Sequence, residues 1–332
     1  MGRPPQQTSS LSALRWNAII TVFAANFVTL YIMPTLPTRY DLLHARLGRL
    51  PPLLRRVESD DPLAWPSMRV ALWRLRELLP VLRLAPETAR KLGVRLRRIG
   101  RQLGKVRELD GQISLVNEVS ESDRHARPAA TRVTHDLKRR RVRLGADVLP
   151  QKAAEDVRRV LRKLNLILAD LDRADDPGGT LRAIRWAIKA RVARRAAMLK
   201  RALDDAGSVY LPGRLREVRS AARKLRFAAE LVADVVASPG APSLGTVEQT
   251  QDALDRLRDT ERLIVRARRL QGGLTPPDLK AWQELDVLVA VLENRCRRLH
   301  ARYVRERAAL LALCARWGAR ASVPDAPRRK VS

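Results

Sequence analysis

Two hydrophobic patterns divide the chain. Residues 16–38, from Trp16 to Thr38, carry no charged side chain and run almost continuously apolar through AIITVFAANFVTLYIMPTLP. That length approaches the roughly 20 residues that cross a bilayer as a helix. Arg3 and Arg15 precede it, as a cytoplasmic N-terminus requires. Thr21, Asn26 and Thr29 dilute its hydrophobicity, and Pro34 and Pro37 interrupt its end. No small-residue cleavage site follows, which argues against a removable signal peptide. The residues leave two readings open, a membrane anchor or a flexible leader, and set 1–59 apart from the rest.

From Asp60 onward apolar positions recur at the 3.6-residue period in long stretches, with few strand signals, which predicts an all-α fold. Turn-forming residues cluster at Ser122–Pro128, Asp172–Thr180, Ser238–Gly245 and Gly272–Pro277. Long helices joined by short loops imply antiparallel bundles. The helical domain is expected over 60–318, followed by a polar, Pro-bearing tail at 319–332.

The helical part repeats itself. RVALWRLRELL at Arg69–Leu79 aligns with RSAARKLRFAA at Arg219–Ala229, an offset of 150 residues. LGKVRELD at Leu103–Asp110 aligns with LDRLRDTE at Leu254–Glu261, an offset of 151. Two blocks at nearly one offset predict an internal duplication. Its halves fall at about 60–172 and 181–318, related by a pseudo-twofold axis.

Charge narrows the chemistry. The 65 Lys and Arg against 35 Asp and Glu give a formal net charge of +30. Such an excess repels itself in a compact state unless an anion offsets it. Nucleic acid, anionic lipid and inorganic phosphate polymers are the candidate partners. Aromatic residues are only 4%, which disfavours base stacking. Arg outnumbers Lys in every basic run, and its planar fork suits phosphate. Arg216, Arg219, Arg223 and Arg226 step by 3, 4 and 3, placing four guanidinium groups on one helix face. Like charges stacked this way destabilise a lone helix, so facing carboxylates or a bound polyanion must offset them. Arg107 with Glu108, and Arg258 with Asp259, sit on the following helix of each half. The acids suit either the orientation of basic side chains or plain helix–helix salt bridges. Cys296 and Cys314 show no metal-site spacing and read as reduced thiols of a cytosolic interior.

These residues resemble the CHAD family, named for a conserved histidine in an α-helical domain. Its pattern H-x-x-R-V-x-x-R-R-L-R is similar to Pro66–Arg76 (PSMRVALWRLR), and its L-G-x-x-R-D-x-D block to Leu103–Asp110. The second-half pattern H-x-x-R-x-x-x-K-R-L-R-Y-x-x-E is similar to Arg216–Glu230 (REVRSAARKLRFAAE). The resemblance spans roughly Asp60 to Trp317. It implies a pair of four-helix bundles about a pseudo-twofold axis, with a basic groove or pore that binds inorganic polyphosphate without catalysis. Carried onto this chain, the binding residues are Arg69, Arg74, Arg76 and Arg107 in one half. In the other they are Arg216, Arg219, Arg223, Lys224, Arg226 and Arg258. Both signature histidines are replaced, by Pro66 and Arg216, and Trp73 stands where the family has Arg. None of His44, His125, His135 or His300 falls at a signature position. Pro66 and Trp73 remove donors, so the first half is expected to bind more weakly than the second.

The alternative is a non-specific nucleic-acid binder driven by the same charge, without helix-turn-helix, zinc or stacking signatures. An enzyme is not expected, and neither is a cofactor or metal: there is no Walker A loop, no HExxH and no ExExK strand before Asp60. Granule association, sequestration and scaffolding are all compatible with polyphosphate binding.

Overall fold

Thr38 starts the first described helix with a capping box. Its hydroxyl accepts from the Asp41 amide at 3.1 Å, and the Asp41 carboxylate accepts from the Thr38 amide at 2.8 Å. The reciprocal bonds satisfy two amides that a helix start leaves unpaired. The computed structural model describes residues 37–59, 61, 63–146, 149–173, 177–235, 244–274 and 278–322. Ten helices and no strand are present among these residues. They are α1 (Arg39–Leu47), α2 (Leu50–Glu58), α3 (Ala64–Leu78), α4 (Pro86–Ser122), α5 (Arg127–Ala146), α6 (Leu149–Arg173), α7 (Pro177–Ala206), α8 (Pro212–Val235), α9 (Gly245–Gln271) and α10 (Leu279–Ser322).

Local chemistry explains several of the starts. Proline occupies the first turn of α2 and α4, where no amide hydrogen is needed. The Asp123 carboxylate accepts from the amides of His125 and Ala126 ahead of α5, and that of Asp278 accepts from the Ala281 amide at the start of α10. Gly207 closes the end of α7 with a positive φ of 58°, a conformation that costs glycine little.

The boundary between α4 and α5 falls where the turn residues placed it. Those expected at 172–180, 238–245 and 272–277 lie partly outside the described residues, as do the tail beyond Ser322 and nearly all of the apolar segment 16–38. Five boundaries fall outside the four expected clusters: α1–α2, α2–α3, α3–α4, α5–α6 and α7–α8. No helix among the described residues is long and apolar enough to cross a membrane.

Among the described residues helices already run from Arg39, ahead of the expected boundary at residue 60. α1 and α2 pack on α3 and α6, and Leu43 and Leu50 are fully buried. Pro51 and Pro52 sit in the first turn of α2, where a helix start tolerates them.

On α3, Trp65, Met68, Leu72 and Leu75 follow steps of 3, 4 and 3 and are all buried. Burying each is worth about 1.5–3 kcal/mol. α7, α8, α9 and the C-terminal part of α10 close around a core that includes Leu199, Val218, Leu225, Leu254, Tyr303 and Leu310. A second core joins α4 and α5 to α9 and the N-terminal part of α10 through Val116, Val133, Leu263, Leu288 and Leu292. α10, 44 residues and about 66 Å long, contributes to both cores. α3 packs against α8 and α4 against α9. The order of buried and half-buried positions over 71–79 repeats over 221–229 without a change.

Candidate anion-binding cleft

Of the four arginines spaced 3-4-3 on α8, Arg219 is buried, Arg223 and Arg226 are half-buried and Arg216 is exposed. Beside α8, α3 presents Arg69, Trp73 and Arg74. These side chains, with Arg107 of α4, line an open cleft of about 390 Å³. Arg49, Phe227, Gln251, Asp252 and Asp255 complete much of its wall. Six arginines therefore meet two aspartates around one opening.

Trp73 organises the centre. The Arg69 guanidinium lies 4.3 Å and that of Arg223 4.4 Å from its ring centroid, and Phe227 packs at 5.7 Å. The indole face attracts cations, so it holds two guanidinium groups that would otherwise separate. The residue that removes a charge from the family pattern thus keeps two others in place.

Carboxylates neutralise part of the cleft. Asp255 accepts from the Nε of Arg219 and from Nη2 of Arg223, the latter at 3.1 Å. Burial raises the Asp255 pKa, but Arg219 and Arg223 outweigh it and hold the carboxyl below the usual aspartate range. Glu230 accepts from Arg74 at 2.7 Å and pairs with Arg226 at 3.5 Å, and Glu248 pairs with Arg226 at 3.2 Å. Arg69 differs: burial, then Arg223, Arg107 and Arg219, push its pKa down to about 9, so it is charged at neutral pH but strained by like charges. Arg69 Nε is buried without a hydrogen-bond partner, as is Arg223 Nε.

The remaining expected site residues lie elsewhere. Arg76 and Lys224 do not line the cleft. Burial and the neighbouring guanidinium groups lower both pKa values; Arg195 acts on each, with Arg97 and Arg191 also acting on Arg76. Glu77 anchors that second group, accepting from Arg195 at 2.9 and 3.0 Å and pairing with Arg191 at 2.8 Å. Arg216 lines another opening with Arg201, Arg214 and Glu217. Arg258 bonds Glu108 at 3.3 Å, and Arg262 meets the same carboxylate, joining α9 to α4. Glu108 thus serves as a helix–helix salt bridge. Burial, then Asp255, pushes the Asp259 carboxyl up. Sequence reasoning missed Arg49, Phe227 and Gln251. Arg49 precedes residue 60, a single Gln carries no motif, and Phe227, at the Tyr position of the second-half pattern, carries no charge to single it out.

The model of the CHAD domain matches residues 42–268, more than two thirds of the chain. The chain belongs to the CHAD family. Among solved structures it is similar to PptA from Streptomyces chartreusis, with a TM-score of 0.56 and 16% identity. The match covers 84% of this chain and 99% of that one, and speaks for the fold alone. No curated protein matches. Of the two positions where CHAD proteins carry the signature histidine, Pro66 lines the cleft and Arg216 does not. The CHAD glycine Gly104 lies against Arg69: a Cβ there would meet Arg69 Cζ and Nη2 at 3.3 Å.

Proposed function

We propose that this chain binds inorganic polyphosphate, without catalysis, in the arginine cleft between α3, α4, α8 and α9. The observation that carries the reading is the guanidinium excess around one opening, with Arg69 and Arg107 lacking a carboxylate within ion-pair distance among the described residues. Each internal phosphoryl group of polyphosphate carries a negative charge and acceptor oxygens but no base. Such a ligand uses planar guanidinium forks and needs no stacking platform. Family membership supports the same ligand.

The reading includes two helical halves related by a pseudo-twofold axis. The repeated burial order and the packing of α3 on α8 and α4 on α9 favour it. At the offset of about 150, the single helix α10 corresponds to α5 and α6 together, and α7 to α1 and α2.

Fluorescence anisotropy with labelled long-chain polyphosphate, competed by duplex DNA at equal phosphate concentration, tests the ligand. Binding should weaken steeply as salt rises, because bound cations release counter-ions. Polyphosphate should displace the label far better than DNA. Equal competition would favour generic binding by charge, and absence of binding would remove the reading.

A further inference from the structure

The two halves treat their cations differently. Arg219 is the counterpart of Arg69, and Asp255 of α9 falls where α4 has Gly104. The aspartate neutralises Arg219 and also reaches Arg223. Glycine at the matching position leaves room for the Arg69 guanidinium and supplies no charge. Arg223 is tied to Asp255, and Arg74 and Arg226 are tied to Glu230. Three cleft arginines have no carboxylate within 4.0 Å among the described residues: Arg49, Arg69 and Arg107. All three come from the N-terminal side of the repeat, and Arg49 belongs to no signature motif.

We propose that a phosphate chain docks first on Arg49, Arg69 and Arg107, with Asp255 as a built-in counter-ion holding Arg219 and Arg223 until the bound chain competes for them. An anion arriving at the first three displaces no carboxylate. One arriving at Arg219 must break a pair that is almost fully out of water, which is expensive. The like-charge strain on Arg69 points the same way, since a bound anion relieves it. The N-terminal half is then the anchoring half, despite Pro66 and Trp73, and Asp255 tunes how readily the other half engages.

The inference rests on the polyphosphate reading and is tested on the full chain with labelled inorganic polyphosphate at low salt. Arg49 is exposed, so Arg49→Ala should leave the fold unchanged while weakening binding about tenfold, the scale of one lost charge-assisted contact. Asp255→Asn should tighten binding, and Arg219→Ala should change it less than Arg49→Ala does. Wild-type affinity in Arg49→Ala, or a larger loss in Arg219→Ala, would overturn the docking order while leaving polyphosphate binding standing. If the wild-type chain binds no polyphosphate, both readings fall together.

Discussion

Gly104 of α4 lies directly against the guanidinium of Arg69 on α3, close enough that a single added methyl group would press on it at 3.3 Å. The glycine is thus explained by a neighbour rather than by its own backbone. Gly104→Ala should leave the protein as stable as wild type or up to about 1 kcal/mol more stable, because alanine favours a helix. The displaced guanidinium should nevertheless weaken polyphosphate binding. Paired thermal melts and titrations would separate the two effects, and a variant that binds as wild type would show that the position of Arg69 does not matter.

Trp73 holds Arg69 and Arg223 through its ring, each contact worth about 0.5–2 kcal/mol. Trp73→Leu should therefore destabilise the ligand-free protein by about 1–3 kcal/mol in urea unfolding. Trp73→Arg restores the family residue but adds a cation beside Arg69 and Arg223, both already acted on by Arg107 and Arg219. It should be the less stable of the two variants, with saturating polyphosphate narrowing the gap. A Trp73→Arg protein as stable as wild type would contradict this account of the centre.

Glu77 is buried and is the only carboxylate paired with Arg191 and Arg195 among the described residues. Removing one partner from a buried ion pair leaves uncompensated charge, so Glu77→Gln should cost about 3 kcal/mol or more. Urea denaturation followed by circular dichroism measures this, and a loss below about 1 kcal/mol would mean that the cluster is not structural.

The depressed Asp255 carboxyl gives stability a defined acid limb. Its folded pKa lies below the unfolded one, so its contribution is complete above the ordinary aspartate range and is lost as pH falls through the folded value. Asp259 has the opposite sign: its raised carboxyl opposes folding most strongly above its folded pKa. Asp259→Asn should therefore stabilise the protein at neutral pH, and Asp255→Asn should destabilise it there while flattening the acid limb. Unfolding free energies measured from pH 3 to 7 in the three proteins would show these opposite signs, and parallel curves would contradict them.

The helices and most of the cleft arginines were legible in the sequence because periodicity and 3-4 spacing are local signals. The dominant carboxylates were not. Arg74 and Glu230 are 156 residues apart and Glu77 and Arg195 118 apart, and no local pattern links them. Arg76 and Lys224 share motifs with the cleft residues, yet both face the Glu77, Arg195 group instead. The two helices Arg39–Leu47 and Leu50–Glu58 were not legible because nine residues each are too short for a periodic signal. Trp73 looked like the loss of a donor because motif comparison registers charge but not what a ring can hold.

The most direct test of the central claim is the affinity of long-chain polyphosphate for the wild-type chain and for an Arg69→Ala, Arg107→Ala, Arg223→Ala triple variant of matched helicity, measured at low and moderate salt. The account predicts tight, steeply salt-dependent binding by the wild type and a loss of a hundredfold or more in the variant, on the order of three charge-assisted contacts. Equal affinity in the two proteins would place the ligand outside this cleft and contradict the account.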